Sequence, residues 1–506
     1  MRRIVNALGI VNWGKRAGAV LALCATATIT LPAQTFTTLH SFCAQSGCAD
    51  GKNPDWLVQA IDGNLYAATS AGGAGYGTIF KITPNGKLTT LFNFDSTDGS
   101  RPYGRLVQIA NGDLYGTTYE GGADFTGEYL AGTVFKITPG GTLTTLHNFA
   151  GYPTDGSFPI AGLVLGTNGD LYGTTYVGGA STYSPCLYLD TGGIAGCGTV
   201  FKITPSGTLT TLYNFCSQSG CTDGWSPEAP LVQAANGDLY GTTLNGGTGY
   251  SGTVFKITPS GMLTTLYNFC SQTNCTDGAN PYLGNLVQAT NGDLYGTTYD
   301  GGANNYGTVF KITPSGALAT IYSFCSQTNC TDGANPVAGL IQATDGDLYG
   351  TTYLGGANGN YGTIFKIAPN GTLTTLYSFC SQSGCEDGEA PGGGPLLQDT
   401  NGTFYGTTSY GGANGAGTVF RFSVGLGPFV ETQTTSGKVG AAVKILGTDL
   451  TGATSVTFNG TPQPAFTVNS TGTAISSTVP VGATTGTVQV VTPSGTLLSN
   501  VPFRVP

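Results

Sequence analysis

The chain has 506 residues, a net charge of −9 and only 9% charged residues, whereas 82 residues are glycine. So few Lys and Arg exclude a nucleic-acid-binding surface as the main function. The abundance of Gly, Thr, Asn and Tyr favours strands over helices, and we expect an all-β protein.

Residues 1–33 are predicted to be a secretory signal peptide. Four basic residues precede an apolar run from Ala17 to Leu31, and Ala33 offers a small residue for cleavage before Gln34. Cys24 would suit lipoprotein processing, but the preceding Leu23 is bulkier than the residue expected there. Removing the four basic residues takes the net charge from −9 to −13. No other stretch approaches the ~20 apolar residues of a membrane span. We therefore expect a secreted, monomeric protein in the extracellular space, the periplasm or at the cell surface.

One unit then recurs seven times, marked by Leu-Tyr-Gly-Thr-Thr or a close variant. The marker tyrosines are Tyr66, Tyr115, Tyr172, Tyr240, Tyr295, Tyr349 and Tyr405. In the fifth unit, β-type runs occupy residues 285–289, 293–298, 307–313 and 317–324. Asn291-Gly292 predicts a type I′ turn between the first two runs. Four strands per unit and seven units predict a seven-bladed β-propeller over residues 34–424. A β-solenoid is the alternative, although its coils are usually shorter and do not need repeated hairpins.

The two ends of the repeat region complement each other. Residues 35–43 match the fourth strand of a unit, whereas the last unit stops after its third strand, at residues 417–423. The N-terminal strand is therefore expected to pair with the last unit and close the propeller.

The repeated phrases resemble a known family. Asn-Gly-Asp-Leu-Tyr-Gly-Thr-Thr, then Gly-Gly-Ala, then Gly-Thr-Val-Phe-Lys-Ile-Thr-Pro, resemble the GloVer tandem repeat of secreted bacterial proteins over residues 35–423. The resemblance implies an exported repeat protein, often with a C-terminal surface anchor. It implies no established activity, and no charged tail or apolar anchor follows the repeats here.

Residues 425–428 are a predicted linker, after which the repeat ends. Residues 443–447, 456–460 and 486–495 resemble the IPT/TIG domain, so residues 429–506 are expected to form a small immunoglobulin-like sandwich. The resemblance implies a spacer or protein-contact module without catalysis.

The cysteines after the signal peptide predict disulfides. Of the 13 cysteines, Cys24 belongs to the predicted signal peptide and ten others form five pairs whose partners are separated by four residues. The remaining two, Cys186 and Cys197, lie in one insertion. The predicted pairs are Cys43–Cys48, Cys186–Cys197, Cys216–Cys221, Cys270–Cys275, Cys325–Cys330 and Cys380–Cys385. With only two histidines in the chain, zinc is disfavoured.

Catalytic motifs are hard to find. Each unit has an Asp-Gly pair in its long connection, and we interpret the aspartate as a turn residue that satisfies backbone amides rather than as a calcium ligand. His40 and His147 take a position that other units fill with tyrosine. Carboxylates that occur in one unit only, such as Glu120, Glu228 and Glu389, would suit a glycosidase, but their spacing makes no pair. No catalytic residue, metal or cofactor is predicted.

The predicted binding site lies on the face that carries the long connections. Units two and three have insertions at residues 124–131 and 181–196, at equivalent places between second and third strands. The candidate ligand-binding residues there are Phe125, Glu128, Tyr129, Tyr176, Tyr183, Tyr188 and Asp190. Tyrosine suits sugar stacking and protein contact. We therefore expect non-catalytic recognition of an extracellular glycan or protein, with a carbohydrate-active hydrolase or lyase as the alternative.

Overall fold

The computed structural model describes residues 34–123, 131–181, 186 and 196–506. These residues form an all-β fold in which each of the seven units builds one antiparallel sheet with at least four strands. Helical structure is of the 3₁₀ type and includes single turns at Ser46–Cys48, Ser219–Cys221, Thr273–Cys275, Thr328–Cys330 and Ser383–Cys385. No helix of the described part is long and apolar enough to cross a membrane.

Sheets 1 to 7 are numbered by unit, and strands one to four by their place in the unit. The first strands are Val58–Gln59, Val107–Gln108, Val164–Leu165, Val232–Gln233, Val287–Gln288, Ile341–Gln342 and Leu397–Gln398. The second strands are Leu65–Ala71, Leu114–Thr118, Leu171–Thr175, Leu239–Thr243, Leu294–Thr298, Leu348–Thr352 and Phe404–Thr408. The third strands are Thr78–Ile82, Thr133–Ile137, Thr199–Ile203, Thr253–Ile257, Thr308–Ile312, Thr363–Ile367 and Thr418–Ser423.

The fourth strands of sheets 1 to 6 follow directly in the chain. They are Leu88–Asn93, Leu143–Asn148, Leu209–Asn214, Leu263–Asn268, Leu318–Ser323 and Leu373–Ser378. Two short additions occur: Lys52–Pro54 pairs with the second strand of sheet 1, and Gly156–Ser157 pairs with Val177–Gly178.

Sheet 7 takes its fourth strand from the other end of the repeat region. Thr35–Ser41 pairs antiparallel with Thr418–Ser423, from Thr35 opposite Ser423 to Ser41 opposite Thr418. Phe36 on this strand stacks on Tyr377 of sheet 6 with ring centroids 4.2 Å apart. The predicted pairing of the N-terminal strand with the last unit is confirmed.

Apolar clusters join each sheet to the next. Tyr240 and Phe269 of sheet 4 pack with Phe310 of sheet 5, for example, and equivalent clusters occur between the other consecutive sheets. A seventh cluster joins Tyr405 of sheet 7 to Phe80 of sheet 1. The marker tyrosines lie in these clusters and are at most 2% exposed, so they serve packing.

Glutamines at the end of the first strands add a polar link between sheets. Gln342 of sheet 6 donates through Nε2 to Gly346 O in its own hairpin and accepts through Oε1 from the N–H of Thr290 in sheet 5. The same link joins sheet 7 back to sheet 1, because Gln59 Oε1 accepts from the N–H of Thr400. Sheet 3 has Leu165 at this position and cannot form the link with sheet 2.

The hairpin between the first two strands differs from the predicted type I′ turn. Gly292 has a φ of 87°, but Asn291 is not among the residues with positive φ. Gly292 N–H donates to Ala289 O at 2.9 Å, and Asn291 Oδ1 accepts from the N–H of Asp293 at 3.0 Å. One glycine in the left-handed region is enough for this longer loop, and the asparagine side chain satisfies the amide that follows it.

In six of the seven units, the aspartate of the Asp-Gly pair accepts hydrogen bonds from a Tyr or His side chain and from backbone amides of the long connection. Asp98 differs and accepts from the N–H of Asp95. Asp332 is fully buried and accepts hydrogen bonds from Tyr322 Oη at 2.7 Å, from the N–H of Ser326 at 2.9 Å and from the N–H of Gln327 at 3.2 Å. The amides lie in the preceding loop, which the disulfide Cys325–Cys330 closes. His40 and His147 replace the tyrosine and reach Asp50 and Asp155 with Nε2 at 3.0 Å and 2.8 Å. The carboxylates therefore face hydrogen-bond donors, which supports the turn interpretation.

We expect Asp332→Ala to lower the free energy of unfolding by about 2 to 4 kcal/mol, because it leaves buried donors unpaired. Tyr322→Phe removes one donor alone and should cost about 1 kcal/mol. Urea unfolding of both variants checks this. A calcium-dependent rise in the Tm of the wild type that Asp332→Ala abolishes would instead make this aspartate a calcium ligand.

The described residues form six disulfides, which are the predicted pairs: Cys43–Cys48, Cys186–Cys197, Cys216–Cys221, Cys270–Cys275, Cys325–Cys330 and Cys380–Cys385. The sulfur atoms of Cys186, Cys197 and Cys216 lie within 4.8 Å of one another. All three belong to disulfides, which leaves no thiolate among them for a metal. Several disulfides are consistent with an extracellular protein.

Residues from Val430 onward form two further four-stranded sheets. One contains Val430–Thr432, Ala442–Gly447, Ala474–Thr478 and Thr467–Val468, and the other Thr461–Pro462, Ser455–Phe458, Val488–Thr492 and Gly495–Leu498. Ile445 and Ile475 of the first sheet share a buried core with Phe458 and Val490 of the second. This unit contacts the hairpin turns of the repeat region, where Thr473 Oγ1 donates to Ile61 O at 2.7 Å.

Candidate functional site

Most of the predicted ligand-binding residues fall outside the described residues. These are Phe125, Glu128, Tyr129, Tyr183, Tyr188 and Asp190. Tyr176 is described: it directly follows the second strand of sheet 3, is partly buried and packs beside Phe158 and Val177.

One cavity of the described residues lies where the long connections of all seven units meet. Its volume is about 700 Å³, within the range of small-molecule sites. The segment that leads into the first strand lines the cavity in every unit. Five units add a residue from the end of the second strand or just after it: Ser70, Leu244, Tyr299, Tyr353 and Ser409.

A proline that recurs in each unit places the residue after it in the cavity wall. The residue before this proline has a positive φ in every unit, for example 52° at Asn280 before Pro281. The proline ring then packs against a glycine of the preceding unit: a Cβ on Gly307 would meet Pro336 Cδ at 2.8 Å. The residues that follow the prolines line the cavity or lie beside it. They are Asp55, Tyr103, Ile160, Glu228, Tyr282, Val337 and Gly392.

The backbone of this position repeats, but its side chains do not. The seven residues are one isoleucine, one valine, one glycine, two tyrosines, one aspartate and one glutamate. A position that served ring packing alone would be expected to repeat, as the buried marker tyrosines do. The variation gives the cavity an asymmetric wall that could distinguish the parts of an asymmetric ligand.

Two of the lining carboxyl groups are almost completely buried. Glu228 and Asp55 are each 5% exposed. Burial raises the pKa of Glu228 to about 8. Burial also raises the pKa of Asp55 to about 7, although hydrogen bonds from the N–H groups of Gly104 and Trp56 lower it. Burial raises the pKa of a third lining carboxyl, Asp300.

The two buried carboxyls differ in their hydrogen bonds. Asp55 Oδ2 accepts from the N–H of Gly104 at 2.8 Å and Oδ1 from its neighbour Trp56, so this side chain ties unit one to unit two. Glu228 Oε2 has no hydrogen-bond partner among the described residues. A buried polar atom without a partner is costly to stability, and a ligand that supplies a donor would remove that cost.

Aromatic rings surround the carboxyl groups. The ring of Tyr119 lies edge-on to Tyr103 at 5.9 Å and stacks on Phe158 at 4.6 Å, while Tyr282 lies 5.9 Å from Tyr299. Burial and the nearby charges of Tyr176, Glu120 and Glu228 raise the pKa of Tyr119 to about 12. Burial and the charge of Glu228 also raise the pKa of Tyr282. Tyr282 follows the proline of unit five as Glu228 follows that of unit four, so side chains of two neighbouring units line one wall of the cavity.

From the sequence, Glu228 stood out as a carboxylate that occurs in one unit only, but no second catalytic carboxylate could be assigned to it. Asp55, Tyr103 and Tyr282 were not among the predicted site residues. Alignment of the units on the proline of the long connection would have found all four, because each directly follows that proline. What the alignment could not supply is that these positions converge on one cavity.

A model of the Gloeobacter/Verrucomicrobia repeat matches residues 24–191, 131–282, 187–331 and 270–475, and so covers most of the chain. The chain belongs to the Gloeobacter/Verrucomicrobia repeat family. No curated protein matches this repeat protein.

Two solved structures resemble this Gloeobacter/Verrucomicrobia repeat protein in fold. The extracellular domain of a hybrid two-component system from B. thetaiotaomicron is 12% identical with a TM-score of 0.50, and the match covers 91% of this chain and 46% of that one. The repeat protein thus spans about half the length of that domain. A fungal alcohol oxidase of the AA5 family, in complex with copper, is 14% identical with a TM-score of 0.51, and the match covers 93% of this chain and 98% of the oxidase. At these identities the similarity shows the fold alone.

Proposed function

We propose that the repeat region is a closed seven-bladed β-propeller whose seventh blade is completed by the N-terminal strand. Support comes from the seven sheets, from the apolar clusters between consecutive sheets and from the contact between sheets 7 and 1. We also propose that residues 429–506 form an immunoglobulin-like domain of the IPT/TIG type, which the two sheets with a shared core support. The disulfides support export directed by residues 1–33.

We infer that the protein binds an extracellular saccharide, without catalysis, in the cavity on the face that carries the long connections. The observation that carries this proposal is the asymmetric wall: equivalent backbone positions present different side chains to one cavity of about 700 Å³. Trp56, Tyr282 and Tyr299 supply aromatic side chains for sugar stacking. Asn53 and Asn280, whose side-chain N–H groups donate to Ser409 O and Leu244 O, fix the backbone at the cavity wall.

Calorimetric titration of the mature protein with a panel of oligosaccharides tests this proposal. For a binding oligosaccharide, Tyr282→Ala should lower the affinity about tenfold or more, because the ring face that the sugar contacts is lost. Tyr306→Ala is the matched control: this tyrosine is 43% exposed on the same face and does not line the cavity. If Tyr282→Ala leaves the affinity unchanged and shortening of the insertions at residues 124–131 and 181–196 abolishes binding, the ligand binds at the insertions and not in the cavity.

A carbohydrate-active hydrolase or lyase is the second candidate, and the raised pKa of Glu228 favours it. A carboxyl group that keeps its proton at neutral pH can act as a general acid. Against this, both oxygens of Asp55 accept backbone hydrogen bonds, which makes it a poor second carboxylate. Product analysis with the same oligosaccharides decides between the two: new reducing ends that Glu228→Gln abolishes would establish the enzyme.

A further inference from the structure

We propose that the ligand of the cavity carries a protonated amino group that Glu228 binds, so that the site takes an amino sugar in preference to a neutral one. This inference rests on the proposed saccharide binding and specifies its ligand class. It is carried by the buried, unpartnered carboxyl oxygen of Glu228 and by the charges and rings around it.

The first step concerns Glu228 itself. The side chain is 5% exposed, and its Oε2 has no hydrogen-bond partner in the described part of the chain. A buried carboxyl in this state must either keep a proton or receive a cationic partner. An ammonium group on the ligand would supply both a positive charge and a donor.

The second step concerns the charges that face the cavity. The charged residues among its described lining are Asp55, Glu228 and Asp300, all acidic, and the described lining contains no Lys, Arg or His. Arg101, on the same long connection as Tyr103, pairs with Glu120 at 3.1 Å. The described lining therefore offers Glu228 no cationic partner of its own.

The third step concerns the rings. Tyr103, Tyr282 and Tyr299 line the same cavity as Glu228, and the ring of Tyr119 lies edge-on to Tyr103 with centroids 5.9 Å apart. Ring faces attract a cation through their negative quadrupole, most strongly where water is excluded. A carboxyl group among tyrosines is thus suited to bind an ammonium group. A neutral hydroxyl group would gain less binding free energy from the same side chains.

Binding would exchange protons in a defined way. Where Glu228 is protonated and the amino group of the ligand already carries its proton, the carboxyl loses its proton to solvent as the ion pair forms. An amino group that arrives neutral takes the proton of Glu228, and none is released. The raised pKa of Glu228 means that this release should be measurable near pH 6.5.

Three tetrasaccharides that differ only at carbon 2 test the inference: the β-1,4-linked tetramers of glucosamine, N-acetylglucosamine and glucose. They are titrated into the mature full-length protein at pH 6.5 in two buffers of different ionisation enthalpy. We expect the glucosamine tetramer to bind about 10- to 100-fold more tightly than the glucose tetramer, as a charge-assisted hydrogen bond in a buried site implies. Its binding should release protons, up to one for each ligand that arrives as the ammonium form, whereas binding of the other two should not.

Glu228→Gln keeps the shape of the side chain and removes its charge. We expect this variant to lose the preference for the amine and the proton release while retaining binding of the glucose tetramer. Glu386→Gln, at an exposed glutamate outside the cavity, should behave as wild type. Equal affinity of wild type for the amine and hydroxyl tetramers would overturn the inference and leave saccharide binding intact. Absence of binding for all three tetramers and for the wider panel would overturn both.

Discussion

Deletion of residues 34–43 should lower the stability of the protein far more than deletion of residues 429–506. The N-terminal strand supplies the whole outer edge of sheet 7, and its Phe36 packs on Tyr377, Phe379 and Phe420. Phe42, just after the strand, is fully buried against Phe80 of sheet 1. Loss of the fully buried Phe42 and the partly buried Phe36 alone costs about 5 kcal/mol. Removal of residues 429–506 takes away a unit with its own core.

Thermal unfolding followed by calorimetry measures this difference. Phe42→Ala and Phe269→Ala form a matched pair, because Phe269 takes the equivalent position in sheet 4 and is also fully buried. Similar losses in both variants are expected if the N-terminal strand is as integral as an internal one. A synthetic peptide of residues 34–43, added to the shortened protein, should restore part of the Tm. A smaller loss from the strand deletion than from the C-terminal deletion would contradict this role.

The second large effect is a fall in stability as the pH rises. The pKa values of Glu228 and Asp55 are raised in the folded protein to about 8 and about 7, so the folded state binds these protons more tightly than the unfolded chain. Their contribution is fully present below the ordinary carboxyl pKa near 4 and is lost as the pH rises through 7 to 8. For Glu228 the loss is a few kcal/mol, at most about 5.

Unfolding midpoints between pH 5 and pH 9 check this dependence. In Glu228→Gln the group no longer titrates, so stability should fall less steeply over this range and exceed that of wild type at pH 9. Glu386→Gln should retain the wild-type slope, since this side chain is exposed. A wild-type slope in Glu228→Gln would mean that water or a neighbouring group already satisfies this carboxyl.

The repeat made much of the fold predictable. In the fifth unit, the predicted runs 293–298, 307–313 and 317–324 correspond to Leu294–Thr298, Thr308–Ile312 and Leu318–Ser323. The first strand is shorter than predicted, Val287–Gln288 in place of 285–289. The chain just before it lines the cavity at Tyr282 and Leu283, which the local pattern does not report.

The candidate site was much less predictable. Burial of Glu228 and Asp55 depends on residues of several units that are far apart in the chain, and no local pattern reports it. Singular residues in a repeat are a usable signal, but Glu228 and the exposed Glu386 are equally singular in the sequence. Only their surroundings separate a candidate ligand-binding side chain from a solvated one.

The pairing of Thr35–Ser41 with Thr418–Ser423 also sets the order in which the protein can be completed during synthesis. The first strand of the repeat region to leave the ribosome must wait for nearly the last one. At ~5–20 residues per second the wait is about 20 to 75 s. Sheets 1 to 6 can form meanwhile, each from consecutive chain, but sheet 7 cannot. A chain whose synthesis stops before Thr418 therefore keeps an unpaired N-terminal strand. This unpaired strand distinguishes truncated chains from full-length ones.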